Sequence, residues 1–281
     1  MEIVRTRHET RILVSHWKGQ GLRVGFAPTM GALHAGHLSL VHLAREHADR
    51  VVVSIFVNPT QFGPGEDFSR YPRPESADLQ CCAEAGVDAV FLPSVAEMYP
   101  PDATVRVTEE TLSRGLCGAT RPGHFSGVLT VVAKLFHIVQ PSVAVFGRKD
   151  AQQLALIERM VRDLDIPVRI LPAPIIREPD GLAMSSRNVY LSPEERRHAL
   201  CLRRALDRAE AAFREHRLDA AALASEMLRI LQATPGTVVD YVALVDASTL
   251  EPVDTLRPNT LAALAARVGT TRLIDNTVLG S

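Results

Sequence analysis

A chain of 281 residues, 46% of them hydrophobic, can bury a sizeable core, and its length predicts two domains. Its 31 basic residues against 32 acidic ones give a formal net charge of −1, so there is no electrostatic case for nucleic acid or an anionic membrane as partner. A local basic cluster around a small anion is still compatible with that balance.

Met1-Glu2-Ile3-Val4-Arg5 lacks the charged region and apolar core of a signal peptide, and no later stretch runs to about 18 apolar residues. The expectation is a cytoplasmic protein without a membrane segment. A helix is predicted from Thr6 to Trp17, ended by Gly19-Gln20-Gly21, with a short apolar strand, Leu22 to Ala27, behind it. That strand runs into Pro28-Thr29-Met30-Gly31-Ala32-Leu33-His34-Ala35-Gly36-His37, beyond which Leu38, Val41, Ala44 and Ala48 recur at helical spacing. A strand-to-helix turn leaves the first helical amides unpaired, which suits an anion. Gly31 and Gly36 permit close backbone approach, and His34 and His37 add side-chain donors. Taken alone, the turn reads either as a nucleotide-phosphate site or as a glycine-containing loop with two surface histidines.

Val51 to Val57 is dominated by β-branched and aromatic residues, as in a strand covered on both faces, and Asn58-Pro59 stops it. Thr60 to Arg73 is too rich in Gly and Pro for regular structure yet carries several aromatics, so it reads as a binding loop. A helix over Asp78–Ala85, capped at Gly86, leads to a strand over Val87–Leu92. Tyr99 to Gly123 is less regular, with Val105-Arg106-Val107 as an edge-strand candidate. The helix from His124 to Val139, the strand Val143–Phe146, the junction Gly147-Arg148-Lys149-Asp150, the helix Ala151–Leu164 and the strand Val168–Leu171 follow. This alternation predicts an α/β, Rossmann-like, doubly wound parallel sheet, in which ligands gather at the carboxyl ends of the strands. Arg177 to Gly181 reads as the domain boundary, with Met184-Ser185-Ser186-Arg187-Asn188 just beyond it. Ser192-Pro193-Glu194-Glu195 is a well-formed start for a helix running to Glu215; a second helix spans Asp219–Leu231. Strands over Val238–Val245, Leu261–Val268 and Thr271–Val278 complete a smaller C-terminal α+β domain, giving domains over residues 1–175 and 176–281. Cys81 and Cys82, Cys117 and Cys201 have neither disulfide-framework nor metal-ligand spacing and read as buried thiols.

Three segments supply donors without a covalent centre: the His34/His37 turn, the Lys149 junction and the Ser185-Ser186-Arg187 loop. Placed cations and donors are what phosphoryl or nucleotidyl transfer needs from a protein. Each has an ordinary counterpart, a solvated lysine or a plain loop, and it is the combination that points to a triphosphate. There is no Walker A pattern and no Gly-x-Gly-x-x-Gly turn. His34 and His37 lack a neighbouring Cys or Glu to complete a zinc set, so no protein metal site is expected. Mg²⁺ carried mainly by nucleotide phosphates fits better.

The His-Ala-Gly-His turn is similar to the HIGH signature of the nucleotidyltransferase superfamily, which includes class I aminoacyl-tRNA synthetases. Longer strings are narrower: the run from Pro28 to His37, Phe56-Val57-Asn58-Pro59-Thr60-Gln61-Phe62, Phe146 to Asp150 with Gln152-Gln153, and Gly181 to Asn188. Together, over essentially the whole chain, they resemble the pantothenate synthetase (pantoate-beta-alanine ligase) family. The resemblance implies condensation of pantoate with beta-alanine through a pantoyl adenylate, with ATP as co-substrate and release of pyrophosphate and AMP. It implies ATP along Met30, Gly31, Ala32, Leu33, His34, Ala35, Gly36 and His37, along Gly147, Arg148, Lys149 and Asp150, at the Ile176 backbone, and along Met184, Ser185, Ser186 and Arg187. His37 takes the proton-donor position, beside His34, Lys149 and Arg187 as catalytic residues. Gln61 would hold pantoate and lie near beta-alanine, and Gln153 would hold pantoate. The Ser185-Ser186-Arg187 segment resembles the mobile KMSKS loop of the synthetases. Arg148 departs from the family, which usually has Glu there, and is given no role beyond its backbone. A homodimer is also implied. Another small-molecule nucleotidyltransferase, or a nucleotide-binding sensor without turnover, stands as the alternative.

Overall fold

The computed structural model describes residues Met1–Gly280. Strands β1 (Glu2–Val4), β2 (Val24–Thr29), β3 (Arg50–Ile55), β4 (Ala89–Phe91), β5 (Val143–Gly147) and β6 (Arg169–Ala173) alternate with α1 (Arg7–Gly19), α2 (Ala35–His47), α3 (Glu75–Glu84), α4 (Val95–Met98), α5 (Leu116–Thr120), α6 (His124–Val139) and α7 (Ala151–Asp163). Helices α8 (Pro193–Ala199), α9 (Cys201–Arg214) and α10 (Ala220–Gln232) then precede β7 (Thr237–Asp246), β8 (Thr260–Val268) and β9 (Thr271–Leu279). The chain clusters into two compact units. One holds Met1–Thr111, Arg121–Arg148 and Gln153–Pro174; the other holds Leu112–Thr120, Lys149–Gln152 and the chain from Ile175 onward.

In the first unit the six strands form one parallel sheet in the order β1-β4-β3-β2-β5-β6. Buried Val51, Val53 and Ile55 of β3 and Ala27 of β2 pack with Leu40, Val41 and Ala44 of α2. At Gly25 an added Cβ would stand 2.9 Å from Ala48 Cβ, so the missing side chain lets β2 lie close to α2. Helix α6 is apolar on nearly every face, as an interior helix is, and stops where Gln140 turns left-handed before Pro141. Strand order reverses between β2 and β5, so their carboxyl ends, leading into the histidine turn and into Gly147-Arg148, lie side by side.

In the second unit β8 pairs antiparallel with β7 and β9. Ala262, Leu264, Ala266 and Val268 on one face of β8 pack with the stripe Leu202, Ala205, Leu206, Ala209 and Ala212 of α9 and with Leu223, Met227 and Leu231 of α10. Leu261 and Ala263 on the other face pack with Val245 and Tyr241.

Two expectations are corrected, and one strand was not anticipated. Val105-Arg106-Val107 is not a strand: Val105 is 86% exposed, and the segment is held at Val107 N–H, which donates to Thr130 Oγ1 at 2.9 Å. One edge of the sheet is β1, too short and too exposed to announce itself by pattern; the other is β6. The helix predicted from Ser192 to Glu215 is two, because Leu200 sits at ψ −11° and ends α8 before α9 begins.

Candidate active site

The turn after β2 is built by side chains that consume its own amides. His34, in extended conformation, caps α2: its Nδ1 accepts from Gly36 N–H at 3.1 Å, and His37 Nδ1 accepts from His34 N–H at 3.3 Å. With each Nδ1 an acceptor, the ring proton of the neutral form sits on Nε2 in both residues. The rings lie 4.1 Å apart between centroids, tilted by 37° to each other. Upstream, Gly31 and Ala32 both have left-handed φ, +82° and +51°. Asp78 of α3, 2% exposed, spans this bend by accepting from Ala32 N–H at 2.9 Å and Leu33 N–H at 2.7 Å. Any Cβ at residue 31 would meet Asp78 Oδ2 at 2.8 Å, so glycine is needed there for space as well as for φ.

These bonds correct the expectation of open helix amides. The N–H groups of Gly31, Ala32, Leu33, Gly36 and His37 already have protein acceptors. Most of the turn's amides are therefore committed to the protein itself.

Gln61 ends a short 3₁₀ turn, Pro59–Gln61. Its Oε1 accepts from Asn58 Nδ2 at 3.1 Å, and its Nε2 lies 3.0 Å from Met30 Sδ, which brings the glutamine against the start of the histidine turn. Asn58 is 1% exposed; it also donates to Gly127 O and accepts from Thr60 and from the Tyr99 hydroxyl. The loop beyond folds on itself, Phe62 packing edge-on against Phe68 and Tyr71.

In the second unit, Lys149 and Asp150 lie in a 3₁₀ turn begun by exposed Arg148. Asn276 Nδ2 of β9 donates to Lys149 O at 2.8 Å, while Lys149 Nζ has no hydrogen-bond or ion-pair partner among the described residues. The neighbouring Asp275, 3% exposed, takes a two-pronged contact from Arg177 at 2.7 and 3.0 Å. This fixes the start of the 176–187 segment, where Met184 N–H donates to Ile176 O at 3.0 Å and Arg177 bridges Ala183. Ser185 Oγ caps the turn Ser186–Tyr190 by accepting from Arg187 N–H at 3.2 Å, and Asn188 Nδ2 ties it to Glu178 at 2.7 Å.

The structure thus gathers Met30, the histidine turn and Gln61 in one unit, and Lys149, Ile176 and Met184 to Arg187 in the other. The two adjacent glutamines of α7 part company. Gln152 is buried and ties down the loop before α5 through Cys117 N–H, Leu112 O and Gly115 O; half-buried Gln153 makes no hydrogen bond among the described residues. Sequence reasoning missed Asp78, Asn58, Asp275 and Asn276, all of which position the named residues from distant parts of the chain. The only local signals were a carboxylate in the first turn of a helix and the Asn-Pro stop after β3.

A family model described as pantoate-beta-alanine ligase matches residues 2–278. The pantothenate synthetase of Thermotoga petrophila is 53% identical over 280 residues, covering all of both chains. The chain belongs to the pantoate-beta-alanine ligase family. A second member, from Moorella thermoacetica, is 53% identical over 99% of each chain. Among solved structures, the pantothenate synthetase of Thermus thermophilus superposes with a TM-score of 0.94 at 47% identity, over 99% of each chain. The Francisella tularensis pantoate-beta-alanine ligase, complexed with beta-gamma ATP and beta-alanine, superposes with a TM-score of 0.83 at 34% identity, over 99% of this chain and 97% of that one. The family's fold is therefore the one found here, a six-stranded parallel sheet with flanking helices and a small three-stranded antiparallel sheet. No helix among the described residues is long and apolar enough to cross a membrane.

Proposed function

We infer that this ligase joins pantoate to beta-alanine in two steps, through a pantoyl adenylate. A pantoate carboxylate oxygen attacks the α-phosphorus of ATP, the bond from that phosphorus to the bridging oxygen breaks, and pyrophosphate leaves. The beta-alanine amine then attacks the acyl carbon, the acyl–oxygen bond breaks with AMP as leaving group, and the proton lost by the amine passes to the departing phosphate or to water. A free carboxylate is a poor acyl donor, and a shielded adenylate escapes hydrolysis.

The observation that carries this reading is the paired histidine cap: two imidazoles 4.1 Å apart whose Nδ1 atoms accept from backbone N–H, which puts the proton of each neutral ring on Nε2. We assign His34 and His37 to the ATP phosphates, with His37 as proton donor. Lys149, a cation without a protein partner among the described residues, supplies charge for the transferred and leaving phosphates, and Arg187 a planar fork for their oxygens. The rest of Met30 to Leu33, Ala35 and Gly36, together with Gly147, Arg148, Asp150, Ile176, Met184, Ser185 and Ser186, forms the remaining nucleotide surface, with Ser185-Ser186-Arg187 as a segment that moves during adenylation. Gln61 and Gln153 hold the pantoate hydroxyl and carboxylate groups; an amide both donates and accepts. Gln61 also lies near beta-alanine. Functionally the chain divides into an ATP- and pantoate-binding part, residues 1–175, and a smaller part, residues 176–281.

No group of three or more acidic, His or Cys side chains among the described residues could hold a metal, and both oxygens of Asp78 are committed to amides. We propose that Mg²⁺ enters with ATP, held mainly by the nucleotide phosphates and water. We place the enzyme in the cytoplasm as a homodimer. Pantoate labelled with ¹⁸O in its carboxylate tests the first step: one labelled oxygen is expected in the AMP released, and unlabelled AMP would rule out attack by that carboxylate.

A further inference from the structure

The main chain of Gln61 is gripped by side chains to which the two-step reaction gives no part. His124, at the start of α6, places Nδ1 2.7 Å from the Gln61 carbonyl oxygen. A carbonyl can only accept, so the proton is on Nδ1 and, in the neutral ring, Nε2 is an acceptor. Arg121 Nη1 stands 2.9 Å from that Nε2 and donates to it. The same guanidinium reaches the Gln61 carbonyl through Nη2 at 3.3 Å and holds Glu66 with two bonds of 2.7 Å, Nε to Oε1 and Nη2 to Oε2. Glu66 is joined back to Gln61 by Phe62-Gly63-Pro64-Gly65, so carbonyl, imidazole, guanidinium and carboxylate close a ring around the base of the loop.

The ring is shielded. The Arg121 and Glu66 side chains are 15% and 25% exposed, and although burial pushes the Glu66 carboxyl up, the guanidinium holds it down at about 2. The loop is also seated directly on α6: an added Cβ at Gly127 would lie 2.3 Å from Thr60 O and 2.8 Å from Gln61 N. The two ends of Gln61 are thus controlled separately. Asn58 and Met30 set the rotation of its amide, while the clamp and the Gly127 seat set where its backbone lies. A shift of the backbone carries the amide with it, and misplacement by about 1 Å can cost on the order of a hundredfold in rate.

We propose that His124 and Arg121, with Glu66 fixing the guanidinium, are positioning residues that place the Gln61 amide for pantoate. This rests on the reading of Gln61 as a pantoate contact. The three do not touch pantoate; they act through the carbonyl and the loop.

The test is steady-state kinetics of the full chain carrying Glu66→Gln, Arg121→Met, His124→Phe or His124→Asn, each alone and combined with Gln61→Ala. Loss of a charge-assisted hydrogen bond predicts a rise of at least about tenfold in the pantoate KM for Glu66→Gln, Arg121→Met and His124→Phe, with the ATP KM within about twofold of wild type. His124→Asn, whose amide nitrogen replaces Nδ1 as donor, should recover most of the loss. In the Gln61→Ala background the same changes should add less than about twofold, because the group they position is gone. An unchanged pantoate KM, equal rises for pantoate and ATP, or undiminished effects on top of Gln61→Ala would each overturn the proposal. Glu66→Gln keeps an acceptor for Arg121, so it gives a readable result even where Arg121→Met fails to fold. Failure of the underlying reading has its own signature: Gln61→Ala alone leaves the pantoate KM unchanged, and both the contact and its positioning fall.

Discussion

Replacing Asp78 by Asn probes how the histidine turn is held. The carboxylate accepts from Ala32 N–H at 2.9 Å and Leu33 N–H at 2.7 Å at a site only 2% exposed. Asparagine keeps one acceptor oxygen and turns an NH₂ group toward the other amide, so one bond is lost and a buried donor is left unmet. A hydrogen bond to a charged group contributes about 1.5–3 kcal/mol net, and an unsatisfied buried donor costs about 1–3 kcal/mol. Allowing for partial relaxation, Asp78→Asn should destabilise the protein by about 2–4 kcal/mol. The effect should also reach the chemistry. Ala32 is held at φ +51°, a conformation that costs a residue with a Cβ about 1–2 kcal/mol, and without the carboxylate the bend is free to relax and carry His34 with it. Urea unfolding at pH 7 measures the first effect. Pantoate-dependent pyrophosphate exchange, expected to slow by at least about tenfold, measures the second. An Asn variant within about 0.5 kcal/mol of wild type with full exchange would refute the view that Asp78 builds the turn.

Gly127→Ala places a methyl group 2.3 Å from Thr60 O, so the Gln61 loop must lift; the pantoate KM should rise while the ATP KM holds, and kinetics indistinguishable from wild type would show that the loop does not depend on this seat. For Glu66 the folded carboxyl is held at about 2 against an ordinary value of 4.5, so its stabilisation is complete above pH 4.5 and fades as pH falls toward 2. The wild type should therefore exceed Glu66→Gln by at most about 3 kcal/mol near neutrality, with the gap narrowing on acidification; urea midpoints between about pH 7 and pH 3 that keep a constant gap would contradict the assignment. His37→Ala and Lys149→Ala should each slow adenylation by at least about tenfold, about 1.4 kcal/mol in barrier, and a wild-type rate in either single-turnover experiment removes that residue from the mechanism.

The parallel sheet was legible because β2, β3 and β5 are apolar on both faces, a pattern that long-range packing reinforces. It failed to reveal β1, three residues at an open edge, and it suggested a strand over 105–107, where alternation exists but no neighbouring strand receives it. Nothing local marks the break at Leu200, which has neither Gly nor Pro beside it. At the site, residue types and turns were readable, whereas their supports were not. Asp78 reaches Ala32 across 46 positions, Asn276 reaches Lys149 across 127, and Arg121 reaches Glu66 across 55. Such partners are fixed by tertiary placement, so the expectation of open amides in the turn was reasonable from local geometry and was overturned by one distant carboxylate.

The central claim is adenylation of pantoate before beta-alanine enters. Exchange of labelled pyrophosphate into ATP, measured with pantoate present or absent and with beta-alanine withheld, tests it most directly. Exchange that requires pantoate and proceeds without beta-alanine is the predicted result; exchange indifferent to pantoate, or none while ATP is bound, would contradict it.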